Sequence, residues 1–248
     1  MRRTNRPLYP LLLSWVLLLA ACGGEPEPSE PDPGPGAEAR TDAAAPPPPA
    51  TPDGTLRVLV LGNSIAAGYG LDLDQAFPAL LQQKADALGW PVDVQNAGVS
   101  GETTAGGLRR IGWLLRDRVD VLILELGGND GLRGTDLGAT KRNLQAIIDT
   151  TRARYPEAAI VLAGMQVPPN LGPQYTARFR DLYPELAAEN DAALIPFLLE
   201  GVGGIASLNL PDGIHPTAEG HRIVADNVWR VLRPVLEERL AEPAQAGG

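Results

Sequence analysis

The chain has 248 residues, with 21 lysines and arginines against 30 aspartates and glutamates, and a formal net charge of −9. A chain this acidic is a poor partner for nucleic acid, because affinity for nucleic acid comes mainly from basic side chains on phosphates. Its single cysteine excludes an internal disulfide, and one cysteine with two histidines cannot supply the roughly four ligands of a structural zinc site. We therefore expect no nucleic-acid partner, no metal and no cofactor.

Residues 1–21 have the layout of a secretory signal peptide, in which three arginines precede an apolar run over residues 11–21. This run is too short for a transmembrane helix, which needs about 20 apolar residues. The sequence LAAC at residues 19–22 resembles the bacterial lipobox, and this resemblance implies cleavage before Cys22 and lipidation of Cys22. The alternatives are an uncleaved anchor and a plain signal peptide with an incidental cysteine.

Residues 22–54 are rich in Pro, Ala, Gly and Glu, have little to bury, and are expected to form a lipidated, disordered tether. A folded domain is expected over residues 55–241, followed by a disordered tail over 242–248. We expect an exported bacterial lipoprotein, monomeric and held to the membrane by its lipid alone. Gly23 stands where an aspartate typically retains lipoproteins in the inner membrane, which favours the periplasmic face of the outer membrane or the cell surface.

From Thr55 onward, apolar runs alternate with amphipathic stretches. The predicted strands cover Leu56–Leu61, Pro91–Gln95, Val119–Leu126, Ala158–Ala163 and Ala193–Pro196. The predicted helices cover Gln75–Leu88, Gly106–Leu115, Thr135–Arg154, Gln174–Asn190 and Thr217–Leu240. This alternation predicts an α/β fold, a three-layer α/β/α sandwich around a central parallel sheet of about five strands.

Four loops rich in small residues follow predicted strands or precede the last helix. They cover residues 61–69, 96–104, 127–130 and 212–216. Because ligands bind at the carboxyl ends of the strands in such sheets, we expect all four loops to open on one edge of the sheet.

Ser64 and His215 are the candidate nucleophile and base, since a serine hydroxyl needs a base to attack. His215 follows Asp212 by three residues in a glycine-containing turn, so that carboxylate can fix the tautomer of the ring and stabilise its charged form. His221 lies inside a predicted helix with no such acid beside it, and we interpret it as a packing or surface histidine.

Structural roles are the alternative for these candidates. Ser64 follows the first strand at a glycine turn, where it could instead cap a helix, and His215 could be a satisfied loop histidine. Ser100 is better interpreted as a turn residue that shapes its loop. Ser29 falls in the tether, and Ser207 lies far from any predicted strand end.

Donors for a developing oxyanion are available on the same loops. Gly101 can offer its backbone N–H without side-chain obstruction, Asn129 its side-chain amide, and Ser64 its own N–H. The segment GGND is a weak signal by itself, because Asn and Asp are common in turns.

Together and in this order, the four loops resemble the blocks of the GDSL/SGNH hydrolase family, over about residues 56–240. The chain is most similar to the bacterial periplasmic thioesterase, lysophospholipase and arylesterase group, through LELGGNDGLRG at 124–134, DGIHP at 212–216, and YP and IPF at 183–184 and 195–197. The resemblance implies a flavodoxin-like fold and an esterase. It also implies that Ser64, Asp212 and His215 form a catalytic triad, and that Ser64, Gly101 and Asn129 form the oxyanion hole.

Two residues depart from the family pattern. Asn63 stands where the family usually has aspartate before the serine, and we expect retuned hydrogen bonds in this loop with activity retained. Glu102 stands where the nearest group has aspartate, which we interpret as a minor change. The chain also lacks the G-x-S-x-G elbow of α/β-hydrolases, since Ala66 follows Ser64 by two positions.

The segments beside the oxyanion loop are candidates for the acyl site. Gly131, Leu132 and Arg133 follow that loop, and Val167 and Pro168 lie on a segment expected to flank it on the opposite side. The resemblance implies carboxylic esters as substrates: aryl esters, lysophospholipids and acyl thioesters of short to medium length. One alternative is a carbohydrate O-acetyl esterase on the same fold. Another is a non-catalytic binding lipoprotein whose glycine loop cradles an anion, although the loop lacks both common phosphate-binding motifs.

Overall fold

A computed structural model of the protein describes residues 54–241. The expectations for the signal peptide, for Cys22 and its tether, and for the C-terminal tail fall on residues 1–53 and 242–248, outside the described residues. No helix within residues 54–241 is long and apolar enough to cross a membrane.

Five parallel strands form one central sheet in the order β2-β1-β3-β4-β5. They are Leu56–Gly62 (β1), Val92–Gly98 (β2), Val121–Glu125 (β3), Ala159–Ala163 (β4) and Ala193–Ile195 (β5). Every residue of β3 is buried, as expected for a strand covered on both faces, whose sequence is continuously apolar rather than alternating. The predicted five-stranded parallel sheet is confirmed.

Seven α-helices and three short 3₁₀ segments lie between or after the strands within the described residues. The α-helices are Ser64–Ala67 (α1), Phe77–Ala87 (α2), Thr104–Leu114 (α3), Gly128–Leu132 (α4), Leu137–Arg154 (α5), Pro173–Glu189 (α6) and Ala218–Ala241 (α7). The 3₁₀ segments are Leu73–Gln75, Pro169–Leu171 and Ala206–Leu208.

The strand order explains how the helices divide between the two faces of the sheet. Connections between parallel strands are right-handed in about 98% of cases, so the direction of each crossover decides the face on which its helix lies. The step from β1 to β2 runs opposite to the later steps, which separates α2 from α3, α5 and α6. Helix α7 packs on α2, and α5 packs on α3 and α6. The predicted three-layer sandwich is confirmed.

Two segments predicted as loops contain single helical turns, α1 and α4. Each begins at a residue suited to the change in chain direction. Asn63 caps α1 with its side-chain oxygen, which accepts a hydrogen bond from the Ile65 N–H, and Gly127 enters α4 with φ +106°, in the left-handed region that favours glycine. Such short helices have too few residues to show a periodic apolar pattern in the sequence.

His221 on α7 is a buried packing residue. Its Nδ1 accepts a hydrogen bond of 3.1 Å from the Phe77 N–H, which is one of the unpaired donors at the start of α2. The two rings stack with centroids 6.4 Å apart. Burial lowers the pKa of His221 to about 4, so this ring is neutral at physiological pH and holds α7 against α2.

A buried neutral histidine makes folding sensitive to acid, and His221→Asn tests this. In the unfolded chain, this side chain takes up a proton near the ordinary histidine pKa of about 6.5, whereas in the folded chain it does so only near pH 4. The wild-type protein therefore loses stability as pH falls through this window, by at most about 1.4 kcal/mol per pH unit from this group. Asparagine keeps an acceptor for Phe77 but does not titrate. Urea unfolding at several pH values should show that the free energy of unfolding depends less steeply on pH in the variant than in the wild type. Equal pH dependences of the two proteins would contradict the assignment of His221 as a buried neutral residue.

Candidate active site

The site lies where the strand order reverses direction. The chain leaves β1 toward β2 on one side and later returns to place β3 on the other side, so the loops after β1 and β3 diverge and leave a crevice. In open α/β sheets, ligands bind in this crevice at the carboxyl ends of the strands. Ser64 follows β1 and Asn129 follows β3, so the topology brings both candidates to one place.

The turn after β1 presents the Ser64 side chain. Gly62 ends the strand, Asn63 caps the helical turn, and Ser64 is its first residue, with 8% of its surface exposed. The cap that Ser64 could have formed is supplied by Asn63 instead. The Ser64 hydroxyl therefore does not cap the helix, and its Oγ lies 3.4 Å from the Asn63 Oδ1.

Three predicted residues form a continuous hydrogen-bonded chain. The Ser64 Oγ lies 2.9 Å from the His215 Nε2, and the His215 Nδ1 lies 2.8 Å from the Asp212 Oδ2. The other Asp212 oxygen accepts backbone N–H groups from His215 at 3.0 Å and from Ile214 at 2.8 Å. These backbone bonds, together with the His215 ring, lower the pKa of Asp212 to about 2, so its carboxylate is charged at neutral pH.

Neighbouring groups fix the His215 loop in place. The His215 carbonyl accepts a 2.7 Å hydrogen bond from the Leu210 N–H, and Asn209 forms a β-bridge with Pro216. The Tyr69 ring packs against the imidazole with centroids 4.4 Å apart. Since Tyr69 lies five residues after Ser64, this contact joins the serine loop to the histidine loop.

The predicted oxyanion donors differ in what they already bind. Within residues 54–241, the backbone N–H groups of Ser64 and Gly101 have no protein acceptor. The Asn129 Nδ2 donates one hydrogen to the Glu102 carbonyl at 2.9 Å and retains its second hydrogen. Asn129 lines the crevice, whereas Gly101 lies on the exposed loop beside it, with φ +79°.

Glu102, predicted to be a minor change, forms an ion pair that fastens the Gly101 loop. Its carboxylate accepts from the Arg110 Nε at 2.8 and 2.9 Å, and the same guanidinium donates to the Ala97 carbonyl at 2.6 Å. The Glu102 side chain is 8% exposed, so solvent screens this pair only weakly. The carboxylate therefore holds the loop onto the end of β2.

Asp130 and Tyr183 support the loop after β3. The Asp130 carboxylate accepts the Thr104 N–H at 2.9 Å and the Thr104 hydroxyl at 2.6 Å, which ties this loop to the start of α3. The Tyr183 hydroxyl donates to the Leu126 carbonyl at 3.1 Å. A Cβ on Gly127 would lie 2.3 Å from that hydroxyl oxygen, so only glycine fits there.

Sequence reasoning missed Arg110, Asp130 and a further buried acid, Glu125. A signal for Glu125 was present, because it is the only ionisable residue in the apolar run VLILEL. An ionisable side chain inside a strand buried on both faces needs a specific polar partner.

A cavity of about 470 Å³ opens beside the Ser64–His215 pair. Among residues 54–241, no acidic residue, lysine or arginine lines it. Its lining consists of Asn63, Ser64, Ile65, Gly128, Asn129, Leu132, Met165, Gln166, Val167, Pro168, Phe197, Leu199, Gly203, Gly204, Asn209, Gly213, Ile214 and His215. A cavity this uncharged suits an apolar group attached to the reacting centre.

Three of the five candidate acyl-site residues, Leu132, Val167 and Pro168, line this cavity, and two lie outside the lining. Gly131 is buried behind it, where a Cβ would lie 2.5 Å from Val167 and 2.6 Å from Phe179. Arg133 points to the outside and donates to the Gly101 carbonyl at 3.2 Å. Arg133 therefore bridges two loops of the site.

The arrangement can activate a serine hydroxyl for attack on a carbonyl, since it supplies a nucleophile, a base and an acid that orients the base. Within residues 54–241, no group of three or more His, Cys, Asp or Glu side chains is placed to hold a metal ion.

Comparisons with known proteins agree with this chemistry. The sequence matches the GDSL-like lipase/acylhydrolase family over residues 60–223. It is 43% identical over 180 residues to esterase TesA of Pseudomonas aeruginosa, covering 72% of this chain and 89% of that protein. It is 37% identical over 180 residues to the thioesterase 1/protease 1/lysophospholipase L1 of Escherichia coli K12, covering 72% and 84%.

A solved structure supports the same relationship. The psychrotrophic esterase EstA from Pseudoalteromonas sp., inhibited by monoethylphosphonate, matches with a TM-score of 0.69 at 31% identity, covering 73% of this chain and 98% of that one. The family match spans more than half of the chain, and the relatives are matched over most of their length. The chain therefore belongs to the GDSL-like lipase/acylhydrolase family and is a serine esterase.

Proposed function

We propose that the protein hydrolyses carboxylic esters through an acyl-enzyme on Ser64, with His215 as the general base and Asp212 as the acid that orients it. The observation that carries the proposal is the hydrogen-bonded chain from the Ser64 hydroxyl through His215 to Asp212, with distances of 2.9 and 2.8 Å. All three residues come from one chain, so the proposed triad is complete without a residue from a second subunit.

In the first step, the His215 Nε2 takes the hydroxyl proton while the Ser64 Oγ attacks the ester carbonyl carbon. The Asp212 carboxylate stabilises the imidazolium that forms. Negative charge develops on the carbonyl oxygen, and the N–H groups of Ser64 and Gly101 and the Asn129 amide stabilise it. The bond from the acyl carbon to the leaving oxygen or sulfur then breaks, and the His215 Nε2 donates its proton to the leaving alcohol or thiol.

In the second step, water replaces the leaving group. His215 removes a proton from the water as its oxygen attacks the acyl carbon, and the same donors stabilise the second oxyanion. The bond between the Ser64 Oγ and the acyl carbon breaks, and His215 returns the proton to Ser64. The carboxylic acid product leaves and the free serine is restored.

Replacing Ser64 tests the nucleophile. Ser64→Ala should lower kcat for p-nitrophenyl butyrate by at least about 10³-fold, because the remaining donors bind substrate but cannot form the acyl-enzyme. Ser207→Ala, at an exposed serine of the same chain, is the matched control and should leave kcat unchanged. A fluorophosphonate probe should label the wild type at Ser64, as read by peptide mass spectrometry. Undiminished hydrolysis by Ser64→Ala would refute the assignment, and a wild type that neither hydrolyses nor labels would favour a binding lipoprotein.

The cavity beside Ser64 supports substrates with an apolar acyl group of short to medium length, in aryl esters, lysophospholipids or acyl thioesters. Leu132, Val167 and Phe197 contribute apolar walls, and burying each added methylene is worth about 0.8 kcal/mol. A carbohydrate O-acetyl esterase needs room for only an acetyl group on this side.

A series of p-nitrophenyl esters from acetyl to decanoyl distinguishes these substrate classes. For the proposed esterase, kcat/KM should rise up to about fourfold per methylene until the cavity is filled, and then level off or fall. An optimum at acetate with steady loss for longer chains would favour the O-acetyl esterase. Matched oxygen and thiol esters of the preferred acyl group then measure the preference for the leaving atom.

We further propose that the protein is an exported lipoprotein attached to a membrane by a lipid on Cys22. The support is the sequence alone, LAAC after an apolar run, and two or more acyl chains make such attachment stable. In a bacterial host, Cys22→Ala should move the esterase activity from the membrane fraction to the soluble fraction, whereas Ser64→Ala should leave the distribution of the protein unchanged. A Cys22→Ala protein that stays with the membranes would contradict the proposal.

A further inference from the structure

Glu125 is a fully buried acid directly beneath the serine turn. It is the last residue of β3, its exposed fraction is 0%, and its register partner on β1 is Gly62. It is not among the residues that line the cavity, so it has no direct route to substrate. The mechanism above does not use this side chain.

One oxygen of Glu125 joins the two ends of the turn that carries Ser64. Its Oε2 accepts the Asn63 N–H at 2.9 Å and the Ala66 N–H at 3.3 Å, one residue before and two residues after the serine. A Cβ on Gly62 would lie 2.4 Å from this oxygen. The glycine at the end of β1 therefore leaves the space that the carboxyl group occupies.

Hydrogen bonds within and beneath this turn satisfy every backbone N–H from residue 63 to residue 67 except one. The N–H groups of Asn63 and Ala66 bind Glu125, that of Ile65 binds the Asn63 side chain, and that of Ala67 binds the Asn63 carbonyl. Within the described residues, only the Ser64 N–H of this turn lacks a protein acceptor. The Glu125 contacts thus keep the turn in the conformation that presents both the Ser64 hydroxyl and the Ser64 N–H.

We propose that Glu125 is a positioning residue, whose buried carboxyl oxygen clamps the Asn63–Ala66 turn and so fixes the Ser64 Oγ against His215 and the Ser64 N–H toward the oxyanion. This inference rests on the proposed function of Ser64. It assigns Glu125 a role as a hydrogen-bond acceptor, and no role in proton transfer.

The protonation state of Glu125 agrees with that role. Burial raises its pKa to about 8, although the Asn63 and Ala66 N–H groups and the Asn63 side chain oppose the shift. The acid is therefore mostly uncharged at neutral pH. Its Oε1 has no hydrogen-bond partner among the described residues, so this oxygen can carry the proton while Oε2 keeps both backbone bonds.

Two substitutions distinguish a role of Glu125 as a hydrogen-bond acceptor from a role as an acid. Glu125→Gln keeps an oxygen at the same reach, so kcat should stay within about threefold of the wild type. Glu125→Asp is shorter by one methylene and cannot reach both N–H groups, so the turn should shift. Because a displacement of about 1 Å at a reacting group can cost about 10²-fold, kcat should fall by that order while KM changes less than about twofold.

Asp120 provides a matched control at the opposite end of the same strands. Its Oδ2 accepts the Arg57 N–H at 2.8 Å, so it makes the corresponding contact between the two strands far from the site. Asp120→Ala should lower the melting temperature without changing kcat or the rate at which a fluorophosphonate labels Ser64. This control separates a general loss of stability from a displaced nucleophile.

The labelling rate per folded molecule decides the proposal. Slow labelling of folded Glu125→Asp with near-normal labelling of Glu125→Gln supports the clamp, and wild-type labelling and kcat in Glu125→Asp overturn it. A loss of more than tenfold in Glu125→Gln also overturns it, because the acid itself is then needed. If Glu125→Asp does not fold, Glu125→Gln decides by the same criterion. A wild type that is not labelled at Ser64 refutes the proposed function instead, which is a distinguishable result.

Discussion

The site depends on how the chain satisfies its backbone donors where β1 turns sharply into α1. This turn is buried between two strands, and unpaired N–H groups there would each cost about 1–3 kcal/mol. A carboxyl oxygen from β3 and an amide oxygen from Asn63 bind three of these donors. Among the described residues, the Ser64 N–H of this turn is left without a protein acceptor, and it is one of the donors we propose for the oxyanion. The contacts that satisfy the buried turn therefore also leave the proposed donor available.

Two further loops at this edge, those after β2 and β3, are held in place by hydrogen bonds and an ion pair of their side chains. Asn129 donates to the Glu102 carbonyl, Asp130 accepts from Thr104, and the Arg110–Glu102 pair holds the Gly101 loop on the end of β2. The contacts of Asn129 and Asp130 join residues 27 and 26 positions apart in the sequence, so this part of the site forms only when the loops after β2 and β3 come together. Preorganised donors of this kind do not have to reorient when charge develops on the substrate.

The sheet, its five strands and the long helices could be predicted from the sequence, because apolar runs and amphipathic periods signal them directly. The order of four short motifs likewise singled out Ser64, Asp212 and His215, whose side chains lie within hydrogen-bond distance of one another in the structure. The single-turn helices α1 and α4 gave no periodic signal, and the supporting roles of Arg110, Asp130 and Glu125 depend on contacts between distant segments. The sequence also does not tell on which side of a single helical turn a residue lies: Gly131, a candidate for the acyl site, packs near Val167 and Phe179 and is not among the residues that line the cavity.

The hydrogen bonds between Asp212 and His215 are local in sequence, unlike the other contacts between loops of the site. The acid and the base are three residues apart and are joined by backbone as well as side-chain bonds, so their relative orientation is a local property of one short segment. The distance from His215 to Ser64, in contrast, spans 151 residues of sequence. A change within residues 212–215 therefore acts on the local geometry between Asp212 and His215, whereas a change in the packing of the sheet acts on the separation of His215 from Ser64.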